Sequence, residues 1–268
     1  MGILRDEGLT VFTIATNKYW DYFLELLPNL RDFISSNGNL EVIVLTNRHP
    51  QGVLETEIEN LIVRVFPSEF NDWPKVTLMR YDQILKFERE IKTNKFLWLD
   101  VDMLFIKPFD PEFLKRGIYL SPHPGYVFDL TGFLKLRDGN KRAFLKDKLR
   151  RTLRRQLGRG AWETNSTSTA FVPPKLKRRY VQGGVWGGET SQVVEMCRVL
   201  NKRIEVDLKN NYIAIWHDES HLNWFQSHFP QKLFTTHFSG ALNHWTSNTS
   251  RSTLMCLDKS ELDKKLGL

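Results

Sequence analysis

Apolar residues run almost unbroken from Leu9 to Ala15 and give way to Thr16 and Asn17, which predicts a buried strand closed by a turn. From Tyr19 to Ile34 apolar positions recur at helical spacing, so the chain opens as strand, loop and helix. Glu41 to Leu45 and Leu61 to Phe66 read as further strands. Val76 to Ile91 reads as a helix, with Leu78, Ile84, Leu85 and Phe87 turned inward. Phe96 to Leu99 is an apolar strand that runs straight into Asp100-Val101-Asp102. Arg179 to Trp186 reads as strand, Glu189 to Leu200 as helix, and the stretch from His217 to Phe229 contains another helix. This alternation predicts an α/β fold with a mostly parallel sheet and helices on both faces. Ligands of such sheets bind beyond the carboxyl ends of the strands. No internal repeat and no long Gly/Ser/Pro linker divides the chain, so residues 1–268 read as one domain.

Composition narrows the class. The 268 residues are 41% hydrophobic, enough for a sizeable core and against intrinsic disorder. Two cysteines, Cys197 and Cys256, make neither a disulfide framework nor a zinc cluster, so an oxidising compartment is not required. No apolar run approaches the ~18 residues of a membrane span and no secretory signal opens the chain, which predicts a cytoplasmic protein, soluble or peripherally attached to a membrane. The net charge of +7 is local in origin. Residues 133–160 hold eleven basic side chains against Asp138 and Asp147, so this stretch carries +9 and the remainder −2. Within it Leu145, Leu149, Leu153 and Leu157 recur every four residues, the spacing of one helical face. Such a basic amphipathic insert suits a solvated helix packed on its own domain or an anionic membrane surface; nucleic acid is the least favoured partner.

Three segments carry chemistry. Asp100 and Asp102 at the end of a hydrophobic strand give two carboxylates at the rim of a sheet, suited to a hard divalent cation shared with a diphosphate, although such pairs also merely end strands. Trp216-His217-Asp218-Glu219-Ser220-His221-Leu222-Asn223 packs two acids, two histidines and an amide into eight residues. Acids in a first helical turn also compensate the macrodipole. The His-Glu-x-x-His order of a zinc protease is missing. The Gly pairs of Gly183-Gly184-Val185-Trp186-Gly187-Gly188 let backbone approach a ligand closely and suit a pocket floor. Neither a dinucleotide fingerprint nor a phosphate-binding loop is found.

Together, in this order along the chain, these segments resemble the glycosyltransferase family of the histo-blood-group A and B transferases and the α1,3-galactosyltransferases, in its short bacterial form. The eight residues from Trp216 to Asn223 resemble the family signature almost letter for letter. Asp100-Val101-Asp102 is similar to its metal motif, His123-Pro124-Gly125-Tyr126 to its acceptor loop and Gly183 to Gly188 to its donor-sugar strand. The resemblance implies a GT-A fold, a single Rossmann-like nucleotide-binding sheet merged with an acceptor-binding half. It implies a retaining transfer of galactose, N-acetylgalactosamine or a related hexose from a UDP-sugar to the 3-hydroxyl of a galactose-type glycan, with Mn2+ as cofactor. Position by position, Phe12, Ile14 and Tyr19 would flank the uracil. Arg80 would lie near the donor, Asp100 would contact ribose and metal, and Asp102 would chelate the ion. Glu219 would face the anomeric carbon as nucleophile or as a stabilising anion, and Asp218 would hold donor hydroxyls. His123 and Trp216 would position the acceptor.

Departures from the family pattern mark what is peculiar to this chain. Gln182 stands where the family tunes donor choice, and Gly183 and Gly184 line the same strand, with Gly184 leaving room at the sugar's C2. Trp162-Glu163-Thr164 replaces the family's Tyr-Glu-Arg acceptor segment, with Trp162 on the acceptor side. The basic insert has no counterpart. Arg251 or Lys259 would serve as the basic tail residue that reaches the diphosphate. A noncatalytic binder of anionic membranes or nucleic acid, acting through residues 133–160, is the alternative reading.

Overall fold

A computed structural model describes residues 5–35, 38–54, 61–126, 158–235, 238–241 and 252–268. The basic insert therefore lies outside the described residues except for 158–160, as does Arg251.

The first strand, β1 (Asp6–Ile14), leads into helix α1 (Tyr19–Phe33) and strand β2 (Asn39–Thr46). A short β3 (Gly52–Leu54) precedes β4 (Leu61–Pro67). The expected helix over 76–91 is divided into α2 (Lys75–Leu78), α3 (Arg80–Lys86) and a 3-10 turn at Glu88–Glu90. Its apolar spacing specified a buried face without specifying a continuous axis, and Leu78 and Ile84 do face the core. Strand β5 (Thr93–Leu99) ends at the two aspartates and is followed by β6 (Met103–Phe105) and β7 (Ile118–Pro122). Strand β8 (Val181–Glu189) feeds the long helix α4 (Thr190–Lys209), which is succeeded by α5 (His217–His228) and β9 (Lys232–Leu233). Strands β10 (Ser239–Ala241) and β11 (Leu254–Cys256) and helix α6 (Lys259–Leu266) complete the described chain.

Eight strands form one sheet in the order β3-β4-β2-β1-β5-β8-β7-β9. From β4 to β5 the neighbours are parallel, as the strand-helix alternation predicts. The sheet is more mixed than that pattern implies, because β8 runs antiparallel to both β5 and β7. This reversal matters for the site. Pairing Trp98 with Trp186 and Leu99 with Val185 puts the beginning of β8 beside the end of β5, so Gly183 and Gly184 arrive at the edge where Asp100 leaves the sheet. The Asp100 amide donates to the Gly184 carbonyl at 2.9 Å and seals that junction.

Strand alternation sends side chains to two cores. Leu9, Val11, Leu97 and Leu99 pack with α1 through Tyr22, Phe23, Leu26 and Leu30. Phe12, Phe96, Trp98 and Trp186 face the other way, against α3, α4 and α5. The rings of Trp98 and Trp186 stack at 5.8 Å with their planes 10° apart, a rigid floor under the carboxyl edge. Beyond that edge β6 pairs with β11, and the Leu257 amide donates to the Asp102 carbonyl at 2.7 Å, so the C-terminal segment braces the second aspartate. Cys197 and Cys256 are both free thiols. No helix among the described residues is long and apolar enough to cross a membrane.

Candidate active site

Two adjoining cavities open at the carboxyl edge of the sheet. The larger, about 330 Å³, is lined by Ile14, Tyr19, Trp73, Arg80, Asp100, Asp102 and Lys259 among others. The smaller, about 150 Å³, is lined by Gly183, Gly184, Trp216, His217, Asp218 and Glu219. Trp73, Thr77, Arg80 and Asp100 line both, so the two form one cleft with Asp102 towards one end and Glu219 towards the other.

Arg80 is the hub. It is buried on α3, and its Nη1 donates to the Gly183 carbonyl at 2.6 Å. Its guanidinium lies 3.0 Å from Asp218 and 3.7 Å from Asp100, and sits over the Trp98 ring at 4.6 Å. Removing either carboxylate would leave a buried cation less compensated, the costly half of a buried ion pair. The Trp98 indole N–H donates to Asp100 at 2.9 Å, fixing that carboxylate from below. Burial nevertheless raises the Asp100 carboxyl to about 6; the Arg80 charge opposes this and the Asp102 charge adds to it. At the outer end, Lys259 at the start of α6 lies 3.3 Å from Asp102 and 5.1 Å from the centre of the Tyr19 ring.

Asp218 and Glu219 occupy the first turn of α5, where the helix dipole favours negative charge by ~0.3–1 kcal/mol. Burial outweighs this. It raises the Asp218 carboxyl to about 7 despite Arg80, and the Glu219 carboxyl to about 7 despite the Gly183 amide, the Tyr180 hydroxyl and Arg80. The Gly183 amide donates to Glu219 Oε2 at 2.8 Å. What brings helix and strand to that distance is Asn223, one turn further on: its carboxamide accepts from the Val181 amide at 2.8 Å and donates to the Val181 carbonyl at 2.7 Å. This is the hydrogen-bond exchange of a β-ladder, made by a side chain. Gly183 and Gly184 let the strand pass tightly against the acidic side chains of the cleft. A methyl on Gly183 would come within 3.1 Å of Asp218 Oδ2, and one on Gly184 within 3.0 Å of Met103 Sδ and 3.3 Å of Asp100 Oδ2.

Most residues singled out from the sequence meet in this cleft, but four do not line it. Phe12 is fully buried and stacks on Trp98, so its ring belongs to the core. Trp162 is buried edge-on against Tyr180 at 5.2 Å, and His123 lies 5.9 Å from the same ring with burial pushing its imidazole down to about 4. Tyr180, which the sequence reading passed over, thus connects that cluster to Glu219. Gln182 is buried with its amide donating to the Ser121 and Ser239 hydroxyls. Trp73 was also overlooked: it is 71% exposed at the mouth, and Trp216 is 49% exposed. Two exposed indoles beside a carboxylate cleft are spare apolar faces of the kind a pyranose covers. An isolated tryptophan before a proline was the available signal for the first of them.

The sequence has relatives. The profile of Glycosyltransferase family 6 matches residues 154–257, which include β8, α4 and α5. Globoside alpha-1,3-N-acetylgalactosaminyltransferase 1 of Canis lupus familiaris is 27% identical over 237 residues, 86% of this chain and 60% of the relative. O-antigen biosynthesis glycosyltransferase WbnI of Escherichia coli is 25% identical over 223 residues, 81% of each chain. Histo-blood group ABO system transferase 1 of Rattus norvegicus is 24% identical over 237 residues, 86% of this chain and 60% of the relative. The chain spans about 60% of the length of the mammalian relatives it matches. Over residues 154–257 the chain is thus similar to glycosyltransferase family 6, and over most of its length to these sugar transferases.

Proposed function

We propose that this chain is a retaining glycosyltransferase of the GT-A type, one unit over residues 1–268, that moves a hexose from a UDP-sugar to the 3-hydroxyl of a galactose-type glycan in α linkage. The observation that carries this reading is the single cleft in which Arg80 stands between Asp100, at the metal-motif end, and Asp218, beside Glu219. The names of the relatives support an α1,3 linkage and a glycan acceptor, and the family match supports transfer chemistry.

Asp100 and Asp102 suit a hard divalent ion such as Mn2+. Both donors are carboxylate oxygens at one strand end; burial is the main reason the Asp100 carboxyl is raised and the Asp102 charge adds to it, and a bound cation would offset both effects. These two residues would hold it, and when bound it supplies Lewis-acid neutralisation of the departing diphosphate. Lys259 would add a second positive charge on the same side of the larger cavity. Ile14 and Tyr19 would take the base in that cavity, and the smaller cavity would take the hexose, with Asp218 accepting from its hydroxyls. Glu219, held by the Gly183 amide, would place a carboxylate against the positive charge that develops on the anomeric carbon. Trp216, with its indole half exposed at the mouth, would receive the acceptor sugar.

The test is UDP release from a panel of UDP-hexoses with Mn2+ and a β-galactoside. Release is expected to vanish in Asp102→Ala and Glu219→Ala, and the product's anomeric proton should report the α configuration. A chain that releases no UDP, or variants that retain the parental rate, would refute the reading; a β product would refute retention.

A further inference from the structure

The geometry points to Glu163 as a positioning residue for the acceptor side of the cleft, an inference that rests on the glycosyltransferase reading above. Glu163 is 3% exposed and lines neither cavity. Its Oε1 accepts from the Tyr212 hydroxyl at 2.9 Å and from the Asn165 amide at 2.7 Å, and its Oε2 accepts from the Ile215 amide at 2.8 Å. A single carboxylate thus ties the segment after Trp162 to the loop between α4 and α5, 52 positions further along the chain. Hydrogen bonds to a charged acceptor are the strong class, and both oxygens are used.

The anchor is fixed before it holds anything. Asp207 near the end of α4, 2% exposed, accepts from the Ser168 hydroxyl at 2.6 Å and from the Thr169 amide at 2.7 Å. The Thr169 hydroxyl donates to the Arg203 carbonyl at 2.9 Å, and the Arg203 guanidinium donates back to the Thr169 carbonyl while lying 3.2 Å from the Trp224 ring centre. The loop it holds has little apolar support of its own. Between Asn211 and His217, both in the left-handed region at φ 53° and 46°, Ala214 is the buried residue, while Ile213, Ile215 and Trp216 are exposed. The next amide after Ile215, that of Trp216, donates to the Ser220 hydroxyl at 3.0 Å, and then the helix with Asp218 and Glu219 begins. Glu163 therefore sets the approach of the backbone to Trp216, and through it the place of the indole at the mouth of the smaller cavity.

Two variants and two readouts test this. Glu163→Gln puts an N–H2 group where one carboxylate oxygen accepts, and Tyr212→Phe removes one donor while leaving the backbone contacts. Hydrogen exchange of the peptide covering 211–217 is expected to quicken by about tenfold in Glu163→Gln and less in Tyr212→Phe, with β8 unchanged. The KM for lactose as acceptor is expected to rise about tenfold, while acceptor-free hydrolysis of UDP-galactose stays within about twofold, a split that general destabilisation would not produce. Unchanged exchange across 211–217, or faster exchange with an unchanged lactose KM, would overturn the assignment. If the unaltered chain neither transfers nor hydrolyses any UDP-sugar, the glycosyltransferase reading fails, and the exchange experiment still decides whether Glu163 holds the loop.

Discussion

Glu219→Gln separates charge from shape at the proposed reacting position. The amide retains a carbonyl oxygen able to accept the Gly183 N–H that now reaches Oε2 at 2.8 Å, so α5 and β8 stay joined. What is lost is a negative charge in a place where burial has already raised the carboxyl to about 7 from an ordinary 4.5. The two consequences have opposite signs. An anion about 4 Å from a developing positive charge is worth about 4 kcal/mol at an effective dielectric of about 20, or about a thousandfold in rate. For stability, the folded chain binds more protons than the unfolded chain between pH 4.5 and about 7, so this group's contribution is fully present below 4.5 and is lost as the pH rises through about 7. Keeping it ionised at pH 8 would cost up to about 3 kcal/mol, and solvent screening of a half-buried side chain reduces this to about 1–2 kcal/mol. Glu219→Gln should therefore be far less active yet more stable than the parent at pH 8, with the stability difference shrinking at pH 5. Parental activity should rise with pH about a midpoint near 7. UDP-release kinetics beside denaturant titrations at the two pH values measure both. A variant that is no more stable at pH 8, or one that loses less than about tenfold in kcat, would refute the placement of a desolvated, catalytically used carboxylate here.

Arg80→Met should destabilise the chain by about 3–5 kcal/mol, because Asp218 would be left buried without its counter-charge; Asp218→Asn in the same chain should recover part of the loss, as read by denaturant melts. Gly187→Ala should prevent stable folding, since the added methyl would meet the Phe96 carbonyl at 2.3 Å, whereas Gly184→Ala should fold and raise the KM for UDP-sugar, because its methyl meets the adaptable Met103 thioether at 3.0 Å inside the cleft. Lys259→Met should lower UDP affinity by about tenfold in calorimetry while costing less than about 1 kcal/mol in stability, since its pair with Asp102 is half exposed.

The apolar runs placed β1, β2, β4 and β5 to within about three residues of their ends, because β1, β2 and β5 are buried on both faces and need consecutive apolar side chains, while β4 keeps Leu61, Val63 and Val65 on its buried face. Helical spacing found α1 and the inward face of the 76–91 stretch, but not its division after Leu78. The direction of β8 was illegible, since alternation along a strand is the same whichever way it runs. At the site, clustered acids made Asp100, Asp102, Asp218 and Glu219 stand out, while Tyr180, Trp73 and the strand-bridging role of Asn223 did not. A tyrosine or an amide has no distinctive pattern until the fold says what it faces. Phe12 shows the converse: a residue chosen by position along the chain whose ring the packing of Trp98 and Phe96 claims for the core.

Local covalent order is enough to decide which segments bury themselves and which acids cluster, because hydrophobic periodicity and short spacing act over a few residues. Arg80, Asp100 and Gly183 are separated by up to 103 positions, and whether they touch depends on the antiparallel seating of β8 against β5. The same holds for the carboxyls near 7: Asp218 and Glu219 begin an ordinary acidic helix turn in the sequence, and only desolvation by the surrounding chain changes their protonation. The sequence determined the parts of the cleft, and tertiary structure decided their mutual distances, their dielectric surroundings and hence their charge.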